Sequence, residues 1–280
     1  MIHAPAAASS LEHRGTPGGF GPLALRFMPS ISIIIPCYNR AATLARALQS
    51  CKAQAEVAQI FVVDDGSTDA TASTVRTYAM HDDRIRLLQT VRHGGAARAR
   101  NWAALHANTP FVAFLDADDE YLSGALSAAL AHLEQHPHAA AVRLDAEFAG
   151  FPSRIVQHPA FERHAAVLSN TVSSSLVIRR NAFLSLGGFP MDEVFRRHGG
   201  DDGALSWVLS DIFDQRRLSD AKRVRVHYHD RIHAEDFLNI QMGFAQADQQ
   251  VADETLRASR AFLDAARANL RQLRAFGPAG

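Results

Sequence analysis

Two hydrophobic runs in the first half of the chain each end abruptly in carboxylates. Residues 62–67 read Val-Val-Asp-Asp-Gly-Ser, and residues 114–119 read Phe-Leu-Asp-Ala-Asp-Asp. Because Asp is a poor strand former, acids that follow an apolar run mark the point where a strand stops. In open α/β sheets, the carboxyl ends of the strands border the ligand crevice. The pattern therefore predicts one site that holds a hard cation and a phosphorylated ligand.

The same pattern predicts alternating strands and helices up to residue 135. The β-branched run 31–35 is typical of a buried parallel strand, which we expect Pro36 to end. Further strands are predicted at 60–63, 85–88 and 111–115, and helices at 41–54, from Ser67 or Asp69 to about 80, at 96–107 and at 121–135. This order indicates an α/β protein whose largely parallel sheet is covered by helices on both faces.

After Pro137 the pattern is less regular. Strands are predicted at 139–148, 173–179 and 222–228, short helices at 181–186 and 204–212, and a continuous helix at 235–276. The first 29 residues are rich in Ala, Pro and Gly, which predicts a disordered tail with at most a short anchoring turn at 23–28.

Composition excludes some classes of function. The chain has 280 residues with 29 basic and 29 acidic side chains, so no net charge favours nucleic-acid binding. No apolar run approaches the ~18 residues that a membrane span needs. Cys37 and Cys51 are the only cysteines, which excludes a zinc cluster or a disulfide framework and favours a cytoplasmic location.

Four segments in order carry a family resemblance. They read Ile-Ile-Ile-Pro-Cys-Tyr-Asn-Arg at 33–40, Val-Asp-Asp-Gly-Ser-Thr-Asp at 63–69, Gly-Gly-Ala-Ala-Arg-Ala-Arg-Asn at 94–101 and Leu-Asp-Ala-Asp-Asp at 115–119. Over roughly residues 30–235, the chain resembles family 2 glycosyltransferases of the GT-A fold. The resemblance implies a Rossmann-like, mostly parallel nucleotide-binding sheet and inverting transfer from a nucleotide-activated sugar, usually with Mn²⁺ or Mg²⁺.

The resemblance also implies a domain organisation. We expect a catalytic domain at 30–235, with a nucleotide-sugar half at 30–120 and an acceptor half at 121–235, after the tail at 1–29. Residues 236–280 form the predicted C-terminal helical extension, which is a candidate surface for a homo-oligomer.

In the donor half, the resemblance implies that Pro36 and Tyr38 pack the nucleoside and that Asp65 accepts a hydrogen bond from the base. Uracil and thymine offer an N3–H donor and cytosine does not, so Asp65 favours a UDP-sugar or a dTDP-sugar. Arg98 and Arg100 are candidates to pair with the diphosphate or the base. A simple turn at 36–38, capping by Asp65 and a solvated Arg98 remain alternatives.

The Asp-x-Asp pair comprises Asp116 and Asp118. We expect Asp118 to bind the metal ion directly and Asp116 to contact the ribose or a metal-bound water. A histidine late in the family's catalytic domain often completes the site, and His233 matches that place better than His229. An ordinary surface histidine is the alternative for each.

The acceptor half should supply the general base, because in-line displacement needs a base opposite the leaving phosphate. Residues 200–207 read Gly-Asp-Asp-Gly-Ala-Leu-Ser-Trp, in which Asp202 matches the family's base. Asp192, Asp201 and Trp207 are candidates for the acceptor region. Because both neighbouring acids would begin a helix, capping is the alternative for Asp201 and Asp202. Pro190 departs from the family's usual acid after Gly-Phe.

We expect the acceptor to be a glycan, a lipid-linked sugar or a small molecule. A location at the inner face of a membrane, as a peripheral protein, is the alternative to a purely cytoplasmic one. Two rival functions remain. A sugar-nucleotide nucleotidyltransferase usually has a Gly-rich loop after the first strand, where this chain has Pro-Cys-Tyr-Asn at 36–39. A degenerate relative would bind a nucleotide or a partner without chemistry.

Overall fold

The computed structural model describes residues 30–213, 215–230 and 232–275. Within these residues, one eight-stranded sheet is covered by helices on both faces. The strands are β1 (Ile31–Cys37), β2 (Val57–Asp64), β3 (Ile85–Gln89), β4 (Phe111–Phe114), β5 (Glu120–Tyr121), β6 (Ala141–Ala149), β7 (Leu176–Arg179) and β8 (Gln215–His227). The helices are α1 (Leu44–Lys52), α2 (Thr71–Ala79), α3 (Ala96–His106), α4 (Ala125–Gln135), α5 (Ser153–Val156), α6 (Phe161–Thr171), α7 (Arg180–Ser185), α8 (Glu193–His198), α9 (Asp201–Ile212), α10 (His233–Gln241) and α11 (Gln249–Ala275).

The sheet has the order β3-β2-β1-β4-β7-β6-β8-β5. The first four strands in that order pair in parallel, as the alternation of strands and helices predicts. Beyond them, β7 runs antiparallel to both of its neighbours, β6 and β8 pair in parallel, and β5 closes the edge antiparallel to β8. The mixed half begins where the sequence pattern becomes irregular.

The isoleucine run of β1 explains why this strand lies at the centre. Ile33 and Ile35 face the core layer that contains α1, α2 and α4, whereas Ile34 faces the layer that contains α3, α9 and α11. All three side chains are fully buried, and each such burial stabilises the fold by roughly 1.5–3 kcal/mol. The strand continues through Pro36 to Cys37, two residues further than predicted.

Two predicted elements begin later than expected. Tyr121 was expected in a helix, but it lies in β5 opposite Val224, and its hydroxyl donates a hydrogen bond of 2.7 Å to the Phe114 carbonyl. Helix α4 begins at Ala125, after Gly124 turns the chain with a φ of 72°. Residues 173–175 form a 3₁₀ turn, so the strand that was predicted at 173–179 starts at Leu176.

The predicted C-terminal helix is two helices. Helix α10 ends at Gln241, because Gly243 adopts a φ of 78° that stops it, and α11 begins at Gln249. Leu263 and Ala266 of α11 pack into the same core layer as α9. No helix of residues 30–275, leaving aside 214 and 231, is long and apolar enough to cross a membrane.

Some predictions fall on residues beyond those that the structure describes. The tail at 1–29, its turn at 23–28 and the last residues of the predicted helix, 276–280, lie outside the described residues. The division into a donor half and an acceptor half at residue 120 stays a prediction, since one continuous sheet includes both segments.

Candidate active site

The carboxyl ends of β1, β2 and β4 lie side by side at one edge of the sheet. Because these strands are parallel neighbours, the residues that follow them meet there. Pro36 pairs with Val63 in the last part of β1 and β2, and the N–H of Asp65 donates to the Cys37 carbonyl at 2.8 Å. The acids that end β2 and β4 therefore surround one region, as their position in the sequence predicts.

The two acids after β2 have separate structural roles. Asp64 accepts hydrogen bonds from the Ser67 N–H at 3.0 Å and from the Gln89 amide at 3.1 Å, so it fixes the turn after the strand. Asp65 is 3% exposed and accepts hydrogen bonds from the N–H groups of Gly94 and Gly95, at distances down to 2.7 Å. Its carboxylate thus holds the loop between β3 and α3 over the site.

Two further groups of that loop complete the surroundings of Asp65. The Thr90 hydroxyl donates to the carboxylate at 2.9 Å, and His93 Nδ1 lies 3.0 Å from it. The His93 ring also stacks on Tyr38, with ring centres 4.1 Å apart. The side chain of Tyr38 remains 42% exposed, so an aromatic surface faces the solvent beside the buried carboxylate.

An open cleft of about 600 Å³ lies next to this loop. Asp65, His93, Arg98, Trp102 and Arg196 are among the residues that line it. Arg98 is near the start of α3, where its guanidinium contacts the Gly94 carbonyl at 3.3 Å. The cleft has the size of a small-ligand site and combines aromatic surface with basic side chains.

Arg100 joins the end of β4 to the start of α9. Its guanidinium is buried and donates to Asp116 at 2.6 Å and to Asp201 at 3.4 Å. It also lies over the Phe189 ring, 5.0 Å from the ring centre. Burial lowers the pKa of Arg100, but the charges of Asp116 and Asp201 outweigh burial, so the pKa is raised overall. The structure therefore brings together an acid from each predicted half of the domain.

Asn101, the next residue of α3, fixes the segment that carries Phe189. The Asn101 amide donates to the Phe189 carbonyl and accepts from the Phe189 N–H, each at 2.8 Å. Gly188 makes this approach possible, because a Cβ there would lie 2.3 Å from the Asn101 amide oxygen. The Ala-Arg-Asn and Gly-Gly-Phe motifs are thus in direct contact.

Asp118 lies between two basic side chains. Its Oδ2 accepts from Arg40 Nε at 3.0 Å and lies 3.2 Å from His229 Nε2, while Arg46 donates to its backbone carbonyl. The structure places His233 elsewhere, at the start of α10 with its ring beside Gly199. His229 is therefore the imidazole in contact with Asp118. Burial raises the pKa of Asp201, and the charge of His233 opposes that rise, so His233 lies nearer to Asp201.

The side chains around Asp118 suit a divalent cation that takes its remaining ligands from a bound phosphate and from water. No group of three or more His, Cys, Asp or Glu side chains with metal-binding geometry occurs within the part of the chain that the structure describes. Mg²⁺ and Mn²⁺ commonly take one or two protein ligands and complete their shell with phosphate oxygens and water. The carboxylate of Asp118 with the imidazole of His229 fits that requirement.

Asp119 is a structural residue whose role was not predicted from the sequence. Its carboxyl accepts hydrogen bonds from the Ser174 hydroxyl at 2.7 Å and from the His227 N–H at 3.2 Å. Burial raises the pKa of Asp119 well above its ordinary value, and the charges of Asp116 and Asp118 raise it further. The Asp119 carboxyl thus ties the segment after β4 to β8 and to the 3₁₀ turn.

Ser173 and Ser174 of that turn also support Asp116. The Asp116 N–H donates to Ser174 Oγ at 3.0 Å, and the Ser173 hydroxyl donates to the Asp116 carboxylate at 3.3 Å. These serines, together with Arg40 and His93, were not among the residues predicted to form the site. The three consecutive serines at 173–175 were the visible signal, but they were assigned to a strand.

Asp202 is the second residue of α9 and directly follows Asp201, which Arg100 contacts. Its carboxylate accepts a hydrogen bond of 2.7 Å from the Gly203 N–H. Burial raises the pKa of Asp202 to about 7, and the Asp201 charge adds to this effect, while Arg100 opposes it. A carboxyl group with this pKa can accept a proton near neutral pH.

The remaining acceptor candidates lie apart from this cluster. Asp192 precedes α8 at its N-cap position, with its side chain exposed. Trp207 is 38% exposed and follows Asp202 by five residues, so a helical turn of about 140° separates the two side chains. The structure therefore joins Asp116, Arg100 and Asp201 directly, with Asp202 adjacent, and leaves Asp192 and Trp207 as peripheral candidates.

A family model described as glycosyl transferase family 2 matches residues 32–181, which is more than half of the chain. The chain is 40% identical over 96 residues to the succinoglycan biosynthesis protein ExoU of Rhizobium meliloti, covering 34% of this chain and 28% of that protein. It is 42% identical over 103 residues to the GalNAc(5)-diNAcBac-PP-undecaprenol beta-1,3-glucosyltransferase of Campylobacter jejuni, covering 36% and 33% respectively. The matched regions thus span about a third of each relative.

Solved structures show the same fold. TarS residues 1–349 of S. aureus, in complex with UDP, superposes with a TM-score of 0.57 at 21% identity, over 81% of this chain and 69% of that one. The mannosyltransferase PcManGT of Pyrobaculum calidifontis, in complex with GDP-Man and Mn²⁺, gives a TM-score of 0.59 at 20% identity, over 90% and 76%. The sheet and its helices therefore have the GT-A architecture that the sequence predicts.

Proposed function

The chain belongs to glycosyl transferase family 2, and we propose that it transfers a sugar from a UDP-sugar or a dTDP-sugar to an acceptor hydroxyl with inversion at the anomeric carbon. The observation that carries the proposal is the bridge formed by Arg100. This side chain links Asp116 of the Asp-x-Asp motif to Asp201, the neighbour of Asp202. A donor-binding acid and a base candidate are thereby held in one cluster.

The nucleoside would bind beside Tyr38, in the cleft that Asp65, Arg98 and His93 line. The exposed Tyr38 ring can stack on a base, and Arg98 is free to turn towards a phosphate. Asp65 already accepts hydrogen bonds from the 94–95 backbone, so its contact with the base N3–H requires the loop to shift. TarS binds UDP and PcManGT binds GDP-Man. These neighbours support the binding of a nucleotide, but they do not indicate which base it carries.

The diphosphate would lie at the end of β4. A divalent cation held by Asp118 with His229, or with His233 as the family resemblance implies, would neutralise the charge that develops on the leaving diphosphate. Asp116 would orient the ribose or a bound water. The Mn²⁺ in the PcManGT complex supports this use of a divalent cation in the fold.

Asp202 would act as the general base. It takes the proton of the acceptor hydroxyl as that oxygen forms a bond to the anomeric carbon, and the bond from that carbon to the diphosphate oxygen breaks on the opposite face. A single displacement inverts the anomeric configuration. Because the pKa of Asp202 is about 7, a large fraction of its carboxyl groups is ionised at neutral pH. The ionised carboxylate is also basic enough to accept the proton.

The acceptor would approach along α9, where Asp201, Trp207 and the exposed Asp192 are its candidate contacts. A glycan, a lipid-linked sugar or a small molecule would each supply the required hydroxyl. The name of the Campylobacter relative includes an undecaprenol-linked glycan, which supports a lipid-linked sugar as one of these classes.

The test is release of UDP from a panel of UDP-sugars and of dTDP from a panel of dTDP-sugars, with simple glycans and lipid-linked sugars as acceptors. We expect Asp202→Asn to abolish acceptor-dependent release while nucleotide binding is retained. Asp211→Asn is the matched control, because Asp211 lies on the same helix and pairs with Arg267 at 2.7 Å, away from the cluster. Near-normal turnover of Asp202→Asn would disprove the role of Asp202, and nucleotide binding without turnover of any donor would support a degenerate binding protein.

A further inference from the structure

A second pocket, of about 380 Å³, lies beside the C-terminal part of α9 and the first residues of β8. We call it the α9 pocket. Its lining includes three arginines, Arg143, Arg216 and Arg217, and the polar side chains of Ser210 and Gln215. No carboxylate lines it within the residues that the structure describes. Such a lining produces a positive potential in a concave site.

Arg143 lies at the bottom of the α9 pocket with an unusual set of partners. It is 1% exposed, and its Nη1 donates to the carbonyls of Thr171 and Val172 and to the Ser175 hydroxyl. Its Nε and Nη2 are buried without a hydrogen-bond partner. All the groups that it contacts are neutral. Burial lowers the pKa of Arg143 to about 10, so it still carries its charge at neutral pH.

The hydrogen-bond partners of Arg143 are neutral, and Asp202 supplies a negative charge that acts on it. A buried charge is costly, and an anion bound in the pocket would reduce that cost further. Arg217 of β8 is less available to bind an anion, because its guanidinium already lies 3.7 Å from Asp145, which Lys222 contacts at 2.8 Å. Arg216 is exposed at the mouth of the pocket and can contact a ligand directly.

The floor of the pocket also carries an unsatisfied acceptor. The Gln215 amide nitrogen donates to the Ser206 carbonyl and to the Ser210 hydroxyl, which leaves Gln215 Oε1 buried without a partner. Unpaired donors and an unpaired acceptor in one pocket suit a ligand that has both an oxyanion and hydroxyl groups.

The α9 pocket is connected to the proposed base. Ser210 lines the pocket eight residues after Asp202 on the same helix, about 12 Å along its axis. The charge of Asp202 also acts on Arg143, so the two groups are close enough to interact. A group bound in the pocket is thus on the acceptor side of the site and remote from the hydroxyl that reacts.

We propose that the α9 pocket binds the anionic group, a phosphate or a carboxylate, of an acidic sugar in the acceptor. This inference rests on the proposed function, because it assigns a negative charge to the acceptor which that function requires. The protein would then select acidic acceptors over neutral ones by a contact distant from the chemistry.

The experiment measures thermal unfolding in Mn²⁺ and saturating UDP, so that the nucleotide site is occupied, with samples in Mn²⁺ alone alongside. The probes are glucose 1-phosphate, glucuronate and neutral glucose, at matched ionic strength. The proteins are the wild type, Arg216→Gln and Arg163→Gln, the last being a control at an exposed position of α6. We expect a charged probe to raise the unfolding temperature of the wild type and of Arg163→Gln, with no rise from glucose. Arg216→Gln should weaken this binding roughly tenfold, because a charge-assisted contact is lost.

A response to glucose 1-phosphate alone assigns a phosphate, and a response to glucuronate alone assigns a carboxylate. The proposal is overturned if neither charged probe stabilises the wild type, if glucose acts equally, or if Arg163→Gln loses as much affinity as Arg216→Gln. The effect of UDP itself, measured against the samples in Mn²⁺ alone, separates the two proposals. Its absence contradicts the proposed function, whereas its presence without an effect of acidic sugars contradicts only the proposal for the α9 pocket.

Discussion

Arg100 donates a hydrogen bond of 2.6 Å to Asp116, and this contact connects helix α3 to the segment that follows strand β4. The same guanidinium reaches Asp201 at 3.4 Å, so a single buried cation compensates acids from both sides of the cluster. The ionisation of Asp202 therefore depends on a residue of the donor side.

Replacing Arg100 should change the pH dependence of transfer. Because Arg100 lowers the pKa of Asp202, we expect Arg100→Gln to move the ascending limb of kcat/KM from about pH 7 to a higher pH. Arg100→Lys retains the charge but loses the two-armed contact, so its limb should move less while its kcat/KM falls. The measurement is the pH profile of UDP release; an unchanged limb in Arg100→Gln would contradict electrostatic coupling of the two residues.

Asp202→Asn should stabilise the fold at neutral pH. The pKa of Asp202 is raised from 3.8 to about 7, so the folded protein binds a proton that the unfolded chain releases within this window. Wild-type stability should therefore fall as pH rises from about 4 to about 7, whereas the variant lacks this loss. About three pH units correspond to a gain of up to roughly 4 kcal/mol for the variant above about pH 7.

Urea unfolding of both proteins at about pH 5 and about pH 8 measures that difference. A gap between the two stabilities that widens with pH is expected. A constant gap would mean that Asp202 titrates alike in the folded and unfolded states.

Arg40→Gln should strengthen cation binding. Arg40 Nε lies 3.0 Å from the Asp118 oxygen that also faces His229, so it competes with a metal ion for that carboxylate. Without Arg40, we expect a lower Mn²⁺ concentration to give half of the UDP-dependent rise in unfolding temperature. A higher Mn²⁺ requirement would instead indicate that Arg40 binds the diphosphate itself.

Two adjacent glycines allow a matched test of the contact between α3 and the Gly-Gly-Phe segment. Gly187 and Gly188 have φ values of 88° and 79°, so alanine at either position costs roughly 1–2 kcal/mol in backbone strain. A Cβ at Gly187 meets nothing within 4 Å, whereas one at Gly188 would collide with the Asn101 amide. We expect Gly188→Ala to lose roughly 2 kcal/mol more than Gly187→Ala, since both hydrogen bonds of Asn101 are disturbed.

Equal destabilisation of the two variants in urea unfolding would show that the Asn101 contact contributes little. Gly187→Ala serves as the control for backbone strain alone.

Much of the donor side could be predicted from the sequence because it depends on local rules. The runs 31–35 and 111–115 become parallel strands since their apolar residues are buried on both faces, and the acids after β2 and β4 lie at the sheet edge for the same reason. The acceptor side could not be predicted as well. Tyr121 pairs with β8 across about a hundred residues, and no local pattern encodes such pairing.

The roles of individual side chains were also set by tertiary contacts. Asp65 is buried under the loop at 93–95, and His229 rather than His233 contacts Asp118, because the end of β8 brings residue 229 towards β4. Sequence spacing alone could not distinguish the two histidines, which are four residues apart. The break between α10 and α11 was likewise missed, although Gly243 is visible in the sequence.

The central claim, that the acidic strand ends bind a uridine or thymidine diphosphate through a divalent cation, is tested most directly by thermal unfolding. The wild type and Asp118→Asn would be heated with UDP, dTDP, GDP, ADP or CDP, each with Mn²⁺ or with EDTA. Ligand at about 100 times its Kd adds about 2.7 kcal/mol, which should raise the unfolding temperature by roughly 5–10 °C. The account predicts such a rise with UDP or dTDP that disappears in EDTA and in Asp118→Asn; no rise with any nucleotide would contradict it.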